Sequence, residues 1–146
     1  MKIVVKAVGL LLFDGLGRIL LLEELVDKLH YSKSAGMVSF PIETIKTDES
    51  KEEALERLIF EEIGVTITPT PDFFGTLDVK VNEKYSGLIS TYVGTCNESF
   101  ESVPNDTDVK HFGWMFPINV LRRPPKEKRV EVDQILTEYL KALNGV

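Results

Sequence analysis

The residues from Phe40 to Val65 hold the pattern that most limits what this chain can fold into. Ser50 with Glu53 has the form of a capping box, so a helix is expected to start just after Ser50. Ala54, Leu55, Leu58, Ile59 and Ile63 recur at helical spacing and define one apolar face. Gly64 fits a C-terminal stop, and the β-branched run Val65-Thr66-Ile67-Thr68 reads as the entry to a strand. Glu62 breaks the pattern. At about 100° per residue it projects into the middle of the apolar stripe, between Leu58 and Ile59. A carboxylate on a buried face is costly unless it is paired or holds a cation. Glu61 lies beside it on the Ala54 edge, and Arg57 precedes Glu61 by one helical turn on the same flank. Two adjacent carboxylates at the rim of a core face suit a hard divalent cation. Periodicity alone equally allows both to be surface or salt-bridged residues of an ordinary amphipathic helix.

The rest of the chain is consistent with a single domain spanning 1–146 and large enough for a real core. Its net charge of −6 argues against a general nucleic-acid binder, though not against a local basic patch. The lone Cys96 excludes an internal disulfide framework and is compatible with a reducing, cytoplasmic setting; a small buried side chain is the favoured reading of it. Met1 to Phe13 carries two Lys and an apolar run, but Asp14-Gly15 turns the chain at once and no cleavage site follows, so a strand is read rather than a leader. No segment approaches the roughly 18 apolar residues of a membrane span.

Lys2 to Phe13 and Arg18 to Leu22 read as a hairpin around Asp14-Gly15-Leu16-Gly17. Val26 to Met37 is a polar loop that could border a site; His30 within it reads as a surface residue. Met37 to Phe40 is a short strand. After the helix, Phe73 to Val81 and Gly87 to Cys96 form a second hairpin signal, and Val109 to Phe116 is a further strand holding Trp114. Arg122, Arg123, Lys126, Lys128 and Arg129 cluster around Pro124-Pro125 and read as a solvated linker, with a phosphate patch as the alternative. Val132, Ile135, Leu136, Tyr139 and Leu143 then make one face of a closing helix. Strands and helices mix without regular βαβ alternation, which implies an α+β fold: a mixed β-sheet with helices on its faces.

The stretch from Glu43 to Val65 resembles the Nudix box, G-x5-E-x7-R-E-U-x-E-E-x-G-U, in which U is a large aliphatic residue. The match is ungapped. Glu49 stands at the first Glu, Arg57 at the Arg, Ile59 at the aliphatic position, Glu61-Glu62 at the Glu pair, and Gly64-Val65 closes the box. Phe40-Pro41 resembles the segment that precedes it in many members. Two positions depart from the pattern: Glu43 replaces the opening Gly, after Ile42 where Gly is often found, and Leu58 replaces the Glu after the Arg. In the family that Glu usually helps bind the catalytic metal. Many members also place a basic residue after the second strand, where this chain has Glu23-Glu24.

The resemblance implies a Nudix-type α/β/α sandwich with a C-terminal helix, hydrolysing a nucleoside diphosphate linked to another moiety with Mg²⁺ or Mn²⁺. It assigns Glu61 and Glu62 to catalysis and to the metal, the Ile42 carbonyl to the metal, and Glu49 with Arg57 to a structural ion pair. A later acid could complete the set; Asp108 is the preferred choice by position, with Glu101 and Glu98 behind it. The alternative is a catalytically impaired Nudix-like module that binds a nucleotide ligand or a protein partner. The sequence is silent on oligomeric state, and a homodimer stays open.

Overall fold

The computed structural model describes residues 2–144. Its elements run β1 (Ile3–Phe13), β2 (Ile19–Glu24), β3 (Val38–Ser39), β4 (Ile42–Thr44), α1 (Lys51–Leu58), β5 (Asp72–Lys80), β6 (Tyr85–Thr95), β7 (Val109–Met115), α2 (Pro117–Arg122) and α3 (Glu131–Leu143). All seven strands join one mixed sheet. β1 lies parallel to β6 in unbroken register from Ile3↔Tyr85 to Phe13↔Thr95. Its other edge meets β2 and β4, both antiparallel. β5 extends the sheet beyond β6, and β3 and β7 pair with β2.

The run of Val and Leu in β1 has a simple cause. Side chains alternate between the two faces of a strand, and a strand covered on both faces must be apolar throughout. Val8, Leu10 and Leu12 point to one face, where they pack with Leu20, Ala54, Leu55, Leu58 and Ile63. Ala7 and Leu11 point to the other, with Ile19, Leu21, Val132, Ile135 and Leu136. The sheet is thus a filling between α1 on one side and α2 and α3 on the other: an α/β/α sandwich. The first turn is held by Asp14, whose Oδ1 accepts from the backbone of Leu16 (3.0 Å) and Arg18 (2.9 Å).

Three local expectations need correction. Val65 to Thr68 is not a strand. Pro69 and Pro71 follow closely and cannot donate to a ladder, and the segment instead lays Val65 and Ile67 against the α1-side core. Lys128 and Arg129 are not solvated: they are 3% and 9% exposed. Lys128 Nζ donates to Leu121 O and to Asp133 Oδ1. Leu143, placed on the buried face of the closing helix, is exposed, and burial ends with Leu136 and the partly covered Tyr139. Among the described residues no helix is long and apolar enough to cross a membrane.

Candidate active site

The site begins where α1 ends. Ser50 Oγ accepts from Glu53 N, and the Glu53 carboxylate accepts from Ser50 N, so both arms of the capping box are made. The helix then widens over Ile59–Ile63 into a π turn, in which Gly64 N–H donates to Ile59 O at 2.8 Å. Such turns insert a residue and re-aim the side chains around it. Glu62 is left 5% exposed and Ile63 is fully buried. Gly64 closes the turn with φ +71°, and a Cβ there would stand 1.8 Å from the Val103 carbonyl oxygen. Both the left-handed backbone and the close approach require glycine.

The polar stretch before β7 docks on this helix end. Val103 N–H donates to Ile63 O (2.7 Å), and the backbone N–H groups of Asn105 and Asp106 donate to Glu61 O (2.8 and 2.9 Å). Asn105 Nδ2 adds a bond to Phe60 O at 2.7 Å. These bonds satisfy carbonyls that a helix terminus leaves without partners. They also bring Asp106 to the side of the cavity where Glu62 lies.

Arg57 gathers the acids of the preceding loop. Its Nε and Nη2 donate to the two oxygens of Glu49, each at 3.0 Å, and Nη2 also reaches Thr44 O. Glu49 accepts a further bond from Lys46 N. The guanidinium holds the Glu49 carboxyl well below the usual carboxylate range. The remaining Nη1 lies 3.3 Å from Glu43 Oε2 and 3.5 Å from Glu61 Oε2. The Glu43 contact lacks hydrogen-bond alignment, and that oxygen is buried without a hydrogen-bond partner among the described residues. Desolvation raises the Glu43 carboxyl to about 7; Arg57 opposes the rise, and Glu61 and Asp106 add to it.

Glu62 Oε2 is likewise buried and has no hydrogen-bond partner among the described residues. Burial, with the neighbouring Glu43 and Asp106, pushes its carboxyl up to about 8. It lines a cavity of about 170 Å³ together with Glu43, Asp106 and Asp108. The cavity is also lined by cations, which are internally paired. Arg129 bridges Glu24 (3.4 Å) and Glu131 (2.6 Å), Lys33 reaches Glu24 (3.6 Å), and Lys28 holds Asp108 (3.0 Å). Burial and the neighbouring Arg129 hold the Lys33 ammonium below its usual range, whereas Asp108 raises Lys28. Tyr31 and Tyr85 meet edge-to-face at the cavity, with ring centroids 4.9 Å apart. Asn82, in the β5–β6 turn, fastens this side by bonding to His30 O and Ser32 Oγ.

The chemistry of this donor set fits a hard divalent cation: carboxylate oxygens, two of them buried and orphaned, on one side of a polar cavity. As they stand, no three acidic, imidazole or thiol side chains among the described residues converge on one point to hold an ion. Arg57 Nη1 stands between Glu43 and Glu61, so clasping a cation requires these side chains to turn away from it.

The residues singled out in the sequence fall into two groups. Glu43, Glu49, Arg57, Glu61 and Glu62 come together at the end of α1. Ile42 lines the cavity while its side chain packs into the α3-side core, and Asp108 lies across the cavity on Lys28. Leu58 is fully buried in the other core and does not face the cavity. Sequence reasoning missed Glu24, Lys33, Asp106, Arg129, Glu131 and the Tyr31–Tyr85 pair. Only the polar character of the 26–37 loop and the basic run around Pro124 hinted at any of them.

A mixed sheet thus lies between helical layers, and an acidic helix end faces a polar cavity. A family model described as NUDIX domain matches residues 4–138, and the chain belongs to the Nudix family. Solved structures of the same fold include the MutT protein of Methanosarcina mazei, 19% identical, TM-score 0.71, covering 98% of this chain and 96% of that one. The NUDIX domain of Shewanella oneidensis NrtR, complexed with ADP ribose, is 17% identical, TM-score 0.74, covering 98% and 90%. A C. elegans Ap4A hydrolase is 17% identical, TM-score 0.62, covering 97% and 99%. No curated protein matches the sequence.

Proposed function

We propose that the protein hydrolyses the diphosphate linkage of a nucleoside diphosphate joined to another moiety, with Mg²⁺ or Mn²⁺ held at the end of α1. The observation that carries this reading is the buried Glu62 carboxyl in the cavity lining, whose Oε2 has no hydrogen-bond partner among the described residues. An ordinary amphipathic helix gains nothing by burying an acid without a partner. Glu61, Glu62 and the Ile42 carbonyl would hold the ion, which would supply charge neutralisation at the phosphate and a more acidic water. The side chains do the rest. Arg57 and Glu49 fix the loop against α1, so that the Glu pair keeps its place. Lys28, Lys33 and Arg129 also line the cavity, and phosphate oxygens would compete with Asp108, Glu24 and Glu131 for their N–H groups. Tyr31 and Tyr85 offer ring edges and faces to a base. In the reaction, the water oxygen would bond to phosphorus, the P–O bond of the anhydride would break with its electron pair leaving on the oxygen of the departing phosphate, and a carboxylate of the Glu pair would accept the water's proton.

The test is release of product from a panel of nucleotide-type diphosphates in the presence of either ion. Turnover should require the metal and be lost in Glu62→Gln with the fold intact. Absence of turnover on every compound would overturn the proposal. A second reading draws on the Arg57 contacts with Glu43 and Glu61: a guanidinium in the acidic cluster suits a module that binds its ligand without cleaving it. It predicts that ADP-ribose raises the melting temperature without being consumed; metal-dependent turnover would remove it.

A further inference from the structure

We infer that Glu43, at the position where the family motif opens with glycine, supplies the third carboxylate of the cation site and replaces the one missing at Leu58. This rests on the metal-dependent reading above. Leu58 cannot serve: its side chain is fully buried beside Ala54, Leu55 and Ile63. Glu43 reaches the same place from the sheet. In β4 it pairs directly with Val8 of β1. Paired residues of antiparallel strands project from the same face, and Val8 faces α1. Ile42, its neighbour, points to the opposite core. Any side chain at position 43 is therefore delivered to the helix end that carries Arg57 and Glu61. A glycine there would present nothing.

A purely structural role leaves the arrangement unexplained. Arg57 is already matched by both oxygens of Glu49. Adding Glu43 puts a further carboxylate against a satisfied guanidinium, 3.3 Å away and without hydrogen-bond alignment. Glu61 contacts the same nitrogen, and Glu62 lies buried nearby with an oxygen that has no hydrogen-bond partner among the described residues. Four carboxyl groups thus crowd one guanidinium in a poorly solvated place, an arrangement that a further cation would balance.

The experiment titrates the full-length protein with Mn²⁺ alone and reads free ion by electron paramagnetic resonance, without substrate. Glu43→Gln should weaken Mn²⁺ binding by at least about tenfold, Glu43→Asp should retain part of it, and melting in chelator should show each variant folded. Glu43→Gly, which installs the family's own residue, serves if the Gln variant does not fold, and the same loss is expected. Asp108→Asn tests the rival ligand and should leave affinity near wild type. Wild-type affinity in the Gln and Gly variants, or loss confined to Asp108→Asn, overturns the inference while leaving the hydrolase reading in place. No Mn²⁺ binding by the wild-type protein overturns both.

Discussion

Burying Glu62 should cost the metal-free protein stability, and the cost should depend on pH. The carboxyl titrates near 4.5 in an open chain and is raised to about 8 in the fold. The native state therefore keeps a proton that the unfolded state has lost. Below the open-chain value both states are protonated, and burial carries no ionic penalty. As pH rises through that window the unfolded state is favoured by about 1.4 kcal/mol per unit, and the loss levels off above about 8. Near neutrality the accumulated cost is roughly 3 kcal/mol, a large share of the stability of a typical domain. Glu62→Gln removes the titration and keeps the shape. Glu43 is pushed the same way and its charge adds to the Glu62 shift, so the difference between the two proteins includes their mutual repulsion. Urea denaturation in chelator, repeated from acid to mild alkali, measures the effect. The two proteins should be similar in acid, and the variant should gain steadily as pH rises, ending about 3 kcal/mol or more ahead. Mn²⁺ should stabilise the wild type and reverse part of the difference. Parallel profiles, or a variant that is weaker at alkaline pH, would refute the claim that this carboxylate is desolvated.

Four other perturbations test different contacts. Gly64→Ala meets both a left-handed backbone and the Val103 carbonyl, and should cost upwards of about 2 kcal/mol in urea melts while raising hydrogen exchange at Asn105 and Asp106. Leu58→Ala should lose about 2–5 kcal/mol of stability as a core truncation, with Mn²⁺ affinity unchanged in the remaining folded protein. Arg129→Ala strands the buried Glu131 without its cation and leaves Glu24 to Lys33 alone, and a loss of about 3–5 kcal/mol is expected by chemical denaturation. Arg57→Lys keeps the charge but removes the fork on Glu49; the melting temperature should fall, and KM for any diphosphate turned over should shift more than it does in Leu58→Ala.

What could be read from the chain was local. The box helix announced itself because Ser50, Glu53, the apolar spacing and Gly64 all lie within one element, and Glu62 was conspicuous because helical periodicity set it among aliphatic neighbours. The α+β class followed from the mixture of strand and helix patterns, and the family match and the mixed sheet agree with it. Contacts between distant segments left no such mark. Arg129 and Lys128 looked solvated because they sit in a basic run, yet Arg129 N–H donates to Val38 O and the pair is folded beneath the sheet edge. Asp106 reaches the cavity only because its backbone is bonded to Glu61 O, which no pattern within 97–108 reveals. Glu43 registered merely as a missing glycine. Its strand is three residues long, too short for alternation to show which way a side chain points. Val65 to Thr68 had β-branched composition without the partners a strand needs.

The parallel alignment of β1 with β6 has a consequence for biosynthesis. Ile3 meets Tyr85, and Phe13 meets Thr95, so a nascent chain exposes its greasiest strand long before the partner leaves the ribosome. Pairings this far apart in sequence form slowly, and an unpaired apolar edge invites self-association meanwhile. Charges flanking the most exposed end, Lys2 and Lys6, are well placed to discourage it. Yield in a fast-translating host should therefore rise when holdase chaperones are supplied.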